Sequence, residues 1–403
     1  MTVVTAATFQ VGLERLALSP GLADSWGRLG LLCNQASVNR GFEPAWELMQ
    51  RLYGPRLKAL FGPQHGFAGT AQDNMIETSH ARHLSTGLPV YSLYSETREP
   101  TAAMLEGIDT LLIDLQTTGC RIYTWKSTIA GCLRAAKRHG KRIVILDRPN
   151  PVGGVLLEGR VLAEDAYSFV GQFPTPMRHG LTAAEAARFF NSFIGAELDC
   201  VPLVGWDPKA CWRDLGRPWV LTSPNLPTPD PVYVYPGTVM LEGTNISEGR
   251  GTGLPFQLIG APYIASGQAV IRRIHDLIGA PPGVYLREAG FEPTAQKWQG
   301  KVCNGLQIHV LAPELIRSYE LTLAIIQAFA DVGAGDYAWK QPPYEYDYET
   351  LPIKLIVGSH AAPKHLGPGA RFDAQDPFWR EGIAAYAQRV KPYLLYDREM
   401  REA

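Results

Sequence analysis

The chain reads as an α/β protein, a doubly wound parallel sheet followed by a smaller α+β domain. Three observations point there. Short apolar runs alternate with segments of helical spacing over roughly the first 200 residues. Each run ends in a cluster of polar residues, which is where open parallel sheets present ligand-binding side chains. From Trp219 onward the alternation gives way to Pro- and Gly-rich segments. The expected division is therefore 1–218 for the sheet domain and 219–403 for a smaller C-terminal domain with site-lining loops.

The first run, Arg28 to Asn34, continues into Gln35-Ala36-Ser37 and precedes a helical pattern over Glu43 to Leu52. The same unit recurs at Leu57 to Phe61 before Gly62-Pro63-Gln64-His65, and at Leu88 to Leu93 before Tyr94-Ser95-Glu96. It recurs again at Thr110 to Ile113 before Asp114-Leu115-Gln116, and at Arg142 to Leu146 before Asp147-Arg148-Pro149-Asn150-Pro151. Thr124 to His139 carries Trp125, Ile129, Cys132, Leu133 and Ala136 on one helical face and suits the crossover that a parallel sheet requires. Thr182, with Glu185 behind it, predicts a capping box opening a helix over Ala183 to Ile194, and Cys200 to Val204 is the expected sixth strand.

In the second half, Ser223 to Pro231, Tyr235 to Gly237 and Glu248 to Gly253 are too rich in Pro and Gly for long regular elements. Their embedded Asn225, Tyr233, Tyr235, Asn245 and Phe256 predict ordered loops rather than linkers. Helices are expected at Gln268 to Ile278 and Pro313 to Asp331, with a strand at Leu306 to Leu311. The tail, Phe378 to Tyr396, is expected to be a helix docked by Trp379 and Tyr386.

Composition narrows the function. Of 403 residues, 46% are hydrophobic and 19% charged, and 38 basic residues against 39 acidic ones leave a formal charge of -1 with no long run of either sign. Nothing in this suggests a nucleic-acid or membrane partner, so a small neutral or mixed-charge ligand is expected. No stretch approaches the ~18 apolar residues of a membrane span, and the N-terminal residues lack a signal-peptide pattern, so a cytoplasmic location is expected. The six cysteines are scattered without a C-x-x-C pair, which argues against a zinc site or a disulfide framework and for buried fillers. G-x-G-x-x-G, the P-loop, G-x-S-x-G and H-E-x-x-H are all absent, so no cofactor and no metal are expected.

What remains is a convergence of strand-end and loop residues: His65, Asp114, Gln116, Arg121, Tyr123, Asp147, Arg148, Asn150, His179, Asn225, Glu242, Asn245, Glu248 and Arg250. Carboxylates accept from hydroxyls, amides donate and accept, and Arg clamps an acidic substituent, a set that suits a polyhydroxylated, amide-bearing ligand. Tyr123, Trp125, Tyr235 and Phe256 offer apolar faces for a sugar ring. Each feature also has a structural explanation: Asp147 to Pro151 as a turn, His65 bonded to a carbonyl, Glu242 and Glu248 solvated on a loop, and Asp114 as a buried acid paired with Arg121.

Taken together, Gly62-Pro-Gln-His-Gly-Phe67, Leu88-Pro-Val-Tyr-Ser-Leu-Tyr94, Gly119-Cys-Arg-Ile-Tyr-Thr124, Leu146-Asp-Arg-Pro-Asn-Pro151, Ser223-Pro-Asn-Leu-Pro227, Tyr235-Pro-Gly237 and Glu242-Gly-Thr-Asn-Ile-Ser-Glu-Gly-Arg-Gly-Thr252 resemble the DUF1343 family. Its members include exo-acting β-N-acetylmuramidases. The resemblance runs from Leu29 through Lys391-Pro-Tyr-Leu-Leu-Tyr396. It implies a Rossmann-like N-terminal domain, a smaller C-terminal domain and a cleft between them. It also implies a glycosidase that releases N-acetylmuramic acid from the non-reducing end of peptidoglycan-derived fragments. The partner is then a small-molecule sugar, a muropeptide or disaccharide, with a homodimer as a possible assembly.

Glycoside hydrolysis uses two carboxyl groups, one protonated and one ionised. This sequence departs from the family pattern at Gln64, where Glu is usual, and at Thr117, where Asp is usual. The expected carboxylates are Glu248 first and Glu242 or Asp114 second, with Glu77 a further candidate and His65 positioning them or sharing a proton. Gln64, Gln116, Arg121, Tyr123, Arg148, Asn150, His179, Asn225, Asn245 and Arg250 are expected to hold the sugar, with Arg121 or Arg250 on its lactyl carboxylate. Two alternatives stand beside this: a catalytically silent amino-sugar binding protein, suggested by Gln64 and Thr117, and a nucleotide-dependent transferase using Gly249 to Gly253 as an anion cradle.

Overall fold

Strand β1 (Leu29–Cys33) is apolar and buried along its whole length, as a strand must be when helices cover both faces of a parallel sheet. The computed structural model describes residues 9–73, 75–333 and 335–403. After β1 come β2 (Leu57–Gly62), β3 (Ala81–Arg82), β4 (Pro89–Ser92), β5 (Thr110–Asp114), β6 (Arg142–Leu146), β7 (Leu156–Leu157) and β8 (Glu197–Val201). The second half adds β9 (Leu258–Ala261), β10 (Val284–Phe291), β11 (Cys303–Val310) and the terminal β12 (Arg401–Glu402).

The main sheet has 7 strands in the order β3-β4-β2-β1-β5-β6-β8. Every pairing in it is parallel except that of β3 with β4. Without β3, this is the doubly wound order in which the chain reverses direction across the sheet between β1 and β5. Helix Trp125–His139 forms the crossover from β5 to β6, and Gly140 ends it in the left-handed conformation with φ 60°. Helix Ala183–Ile194 leads from β6 to β8 with the expected capping box: Thr182 Oγ1 accepts from Glu185 N at 3.3 Å, and Glu185 accepts from Thr182 N at 3.0 Å. The sixth strand ends at Val201, earlier than its apolar run suggested, because Pro202 has no N–H for the ladder.

Beyond this sheet, β10, β11 and β9 form a 3-stranded antiparallel sheet against helix Gly267–Ile278, which packs in turn on helix Ser318–Val332. Together with the main sheet, this is the α/β plus smaller α+β architecture expected. Strands β9 and β10 carry no clear apolar alternation and went unexpected. The largest departure is at Pro229–Thr238, where a Pro-rich stretch expected to be loop is a helix. Pro229 and Pro231 lie in its first turn, where no intrahelical N–H is needed. Gly237 then lets this helix lie directly against helix Ser318–Val332, since a Cβ there would overlap the Ser318 carbonyl.

The tail is also broken differently from the single helix expected. A 3-10 turn (Pro377–Arg380) and a helix (Ile383–Val390) are separated by Gly382 at φ 83°. Trp379 and Tyr386 are buried as anticipated. The last residues return to the first half of the chain: Tyr396 donates to Asp147 Oδ2 at 2.6 Å, Arg398 pairs with Glu185 at 2.6 Å, and β12 pairs with β7 in a separate 2-stranded sheet. Among the described residues, no helix is long and apolar enough to cross a membrane.

The Gly237 contact sets a test of the packing. Gly237→Ala should lower stability by about 3 kcal/mol, read as a lower thermal midpoint. Gly253→Ala, with nothing near the added methyl, should stay within about 0.5 kcal/mol of the parent.

Candidate active site

At the carboxyl end of β2 the chain must turn back on itself. A Cβ on Gly62 would lie 2.7 Å from Phe67 N, so only glycine allows the turn. The turn carries Gln64 and His65, the latter at φ 69°. His65 Nδ1 lies 2.7 Å from the Ala71 carbonyl, which can only accept, so Nδ1 bears the hydrogen and Nε2 accepts from Ser223 Oγ at 3.1 Å. Burial lowers the His65 pKa to about 4, which leaves the ring neutral at ordinary pH. His65 thus ties the β2 turn to a loop of the second half.

Gln64 begins a relay of hydrogen bonds. Its Oε1 accepts from Thr124 Oγ1, and its Nε2 donates to Tyr94 Oη at 3.0 Å. Tyr94 donates to Glu345 Oε2 at 2.8 Å, and Gln64 Nε2 also lies 3.4 Å from Glu345 Oε1. Burial raises the Glu345 pKa, and the nearby charge of Glu242 adds to the rise. Glu345 forms no ion pair among the described residues, and the bonds it accepts from Tyr94 and Gln64 act against the rise.

Opposite it stands a charged cluster built by the second half. The 3-10 turn Val239–Gly243 holds Glu242, and the following loop brings back Glu248 and Arg250. Arg250 bridges both acids, with Nη2 to Glu242 Oε1 at 2.6 Å and Nη1 to Glu248 Oε1 at 3.0 Å. Tyr344 donates to Glu242 Oε2 at 2.8 Å, and Lys297 pairs with Glu248 Oε2 at 2.7 Å. Burial alone would raise Glu248, but Lys297 and Arg250 outweigh it and hold the carboxyl down to about 2.

These groups share one cleft. Its outer part is a cavity of about 220 Å³ whose walls include Asp73, Gln296, Lys297 and Lys340. Glu242, Arg250, Tyr344 and Glu345 also face the inner part, which narrows to about 30 Å³. Tyr123, Trp125, Tyr235 and Phe256, the four rings expected to face a sugar, line that inner end with Gln64, His65 and Asn225. The switch point between β1 and β5, where dinucleotides bind in this topology, is instead filled by protein: Asn34 donates to the Thr222 carbonyl at 3.2 Å and Gln35 to the Leu221 carbonyl at 3.0 Å.

Of the residues singled out from sequence, Gln64, His65, Tyr123, Asn225, Glu242, Glu248 and Arg250 meet in the cleft. The others lie elsewhere. Asp114 is fully buried and paired bidentately with Arg148, at 2.6 and 2.8 Å, not with Arg121 as expected. The reason is topological: Asp114 ends β5 and Arg148 follows β6, and these strands are neighbours. Gln116 and Asn150 bond backbone carbonyls of Pro149 and Leu181. His179 Nδ1 accepts from Leu181 N, and Asn245 ties Asp336 to Tyr263. Arg121 donates to the Thr175 and Ile356 carbonyls beside a separate small cavity. Glu77 is half-exposed and pairs with Arg98, which lies between the rings of Tyr94 and Tyr346.

Sequence reasoning missed Glu345, Tyr344, Lys297 and Tyr94. A signal was present for two of them: Gln341-Pro-Pro-Tyr-Glu-Tyr346 has the mix of Pro, aromatic and acidic residues that marked the other site-lining loops.

A narrow cleft with aromatic walls, two acids locked to cations and a third carboxyl whose pKa burial raises suits an enzyme of the glycosidase class. Comparison with known proteins narrows the class to a family. The model for exo-β-N-acetylmuramidase NamZ matches its N-terminal part to residues 29–230 and its C-terminal part to residues 233–396, and the chain belongs to this family. It is 41% identical over 373 residues, 92% of this chain and 87% of the relative, to the peptidoglycan β-N-acetylmuramidase NamZ of Bacillus subtilis (strain 168). Two crystal structures of DUF1343 family proteins from Bacteroides fragilis share the fold, with TM-scores of 0.85 and 0.74 at 28% and 25% identity. Each covers 96% of this chain and 99% of the other.

Glu248 provides a test of the charged cluster. Glu248→Gln leaves Arg250 and Lys297 short of a buried partner, so stability at neutral pH should fall by about 3 kcal/mol. The folded pKa lies below the unfolded value of 4.5, so the contribution is complete above 4.5 and is lost as pH falls toward 2. Denaturant melts of parent and variant should therefore converge across that window.

Proposed function

We propose that this protein hydrolyses the β-glycosidic bond of a terminal N-acetylmuramic acid residue in peptidoglycan fragments, with Glu345 as the proton donor to the leaving oxygen. The observation that carries this assignment is the contrast between Glu345, raised by burial and held by Tyr94, and Glu248, held ionised by two cations. Glu242, gripped by Arg250 and Tyr344 and facing both parts of the cleft, supplies the second carboxyl as base or nucleophile. Glu248 orients Arg250 and Lys297 around it. Since Gln64 does not titrate, the amide leaves Glu345 as the proton carrier of that pair and fixes it through the relay from Thr124 and Tyr94.

The sugar's ring faces meet Tyr123, Trp125, Tyr235 and Phe256, and Asn225 and Gln64 supply amide contacts at the inner end. The six unpaired cysteines suit a reducing compartment, and a cytoplasmic site of action is part of this proposal.

The test is turnover of a muramyl-glucosamine disaccharide and of a 4-nitrophenyl β-N-acetylmuramide. Glu345→Gln should lower kcat/KM on the disaccharide by at least about 100-fold. The nitrophenyl substrate, whose leaving group needs no proton, should suffer much less. The parent's rate should fall as pH rises through the raised pKa of Glu345, and the variant should lack that limb. Equal losses on both substrates, or none, would remove Glu345 from the acid role. Binding of N-acetylmuramic acid without turnover by the parent would favour the silent binding protein.

A further inference from the structure

Arg121 and Lys126 lie on either side of the junction between the loop after β5 and helix Trp125–His139, and both are buried. Neither has an anionic partner among the described residues. Arg121 spends its Nη groups on the Thr175 and Ile356 carbonyls, at 3.3 and 2.6 Å, and its Nε is unbonded. Among the described residues Lys126 Nζ has no hydrogen-bond partner, and neither does the nearby Nε2 of His179. The other buried cations of the protein are matched, Arg148 by Asp114, Arg178 by Glu158 and Arg398 by Glu185. Without a counter-charge, burial pushes the Lys126 amine well below its ordinary pKa, and an anion within reach is what would favour the charged form.

Arg121, Lys126, Ser127, Val170 and Thr175 line a cavity of about 10 Å³. That space takes one water-sized group, so a carboxylate oxygen or a chloride fits and a phosphate does not. The N-terminal end of the 15-residue helix Trp125–His139 adds its positive dipole. Val170 lines this cavity and also the inner end of the active-site cleft, beside Ile122, Tyr123 and Trp125.

We propose that Arg121 and Lys126 form a small-anion subsite adjoining the cleft, and that it selects the carboxylate of the lactyl ether on the substrate sugar. The choice of ligand rests on the muramidase reading above, while the anion subsite does not. N-acetylmuramic acid and N-acetylglucosamine differ by this lactyl group, so the subsite separates the two sugars.

Calorimetry of the full-length protein compares N-acetylmuramic acid, its methyl ester and N-acetylglucosamine. The acid should bind at least tenfold tighter than the other two. Lys126→Met should erase that preference while leaving the affinity for N-acetylglucosamine unchanged, and the ester repeats the comparison on the unaltered protein should the variant not fold. In parallel, the thermal midpoint is followed in sodium formate for parent and variant. No sugar preference, but a formate-dependent rise in the parent that the variant lacks, would uphold the anion subsite and overturn its lactyl assignment. Absence of both effects would overturn the subsite. Failure of glycoside turnover counts against the muramidase reading alone, because formate binding does not depend on it.

Discussion

Arg250, buried between Glu242 and Glu248, is the interaction around which the cleft is organised. It brings two carboxylates into one desolvated site. Removing two charges from water is tolerable only when each is matched and the remaining hydrogen-bonding positions are filled. Lys297 and Tyr344 fill them. The account of charge then closes: two acids face two cations, and Glu345 arrives with no cation of its own. Burial and the nearby charge of Glu242 raise its pKa.

The sheet provides the rigid frame for this arrangement, though not at the position its topology usually offers. In a doubly wound sheet the crevice between β1 and β5 is the common ligand site. Here Leu221 and Thr222 occupy it, held by Asn34 and Gln35. The candidate cleft lies instead at the end of β2 and the loop after β5. From there Gln64, held by Thr124, reaches across to Glu345, and His65 to Ser223. The segments expected to be mere loops also include a helix, Pro229–Thr238, whose close packing through Gly237 anchors the stretch leading to Glu242.

Much of this was legible along the chain. Apolar runs ending in polar clusters marked the strands, because burial on both faces leaves no alternation to confuse the pattern. The Thr182 and Glu185 pair marked a helix start, because capping is a local bond between neighbours. The four aromatic residues, Gln64, His65 and the Glu242 to Arg250 loop, picked out by residue type and position at strand or loop ends, do line one cleft. The partner of Asp114 was not legible. Arg121 is nearer in sequence, but parallel pairing of β5 with β6 delivers Arg148 to the carboxylate.

The sequence by itself determined the α/β class, the order of its strand and helix units, and the set of acids, amides and rings suited to a sugar. All of these rest on short-range patterns of burial, capping and turn chemistry. Only the tertiary structure decided which carboxyl is buried without a cation beside it and which residues stay outside the cleft. Gln64 and Glu345 are 281 positions apart, and nothing local to either encodes their meeting. Protonation is set by the sum of burial and neighbouring charge at one point in space, and that sum exists only once the chain has folded.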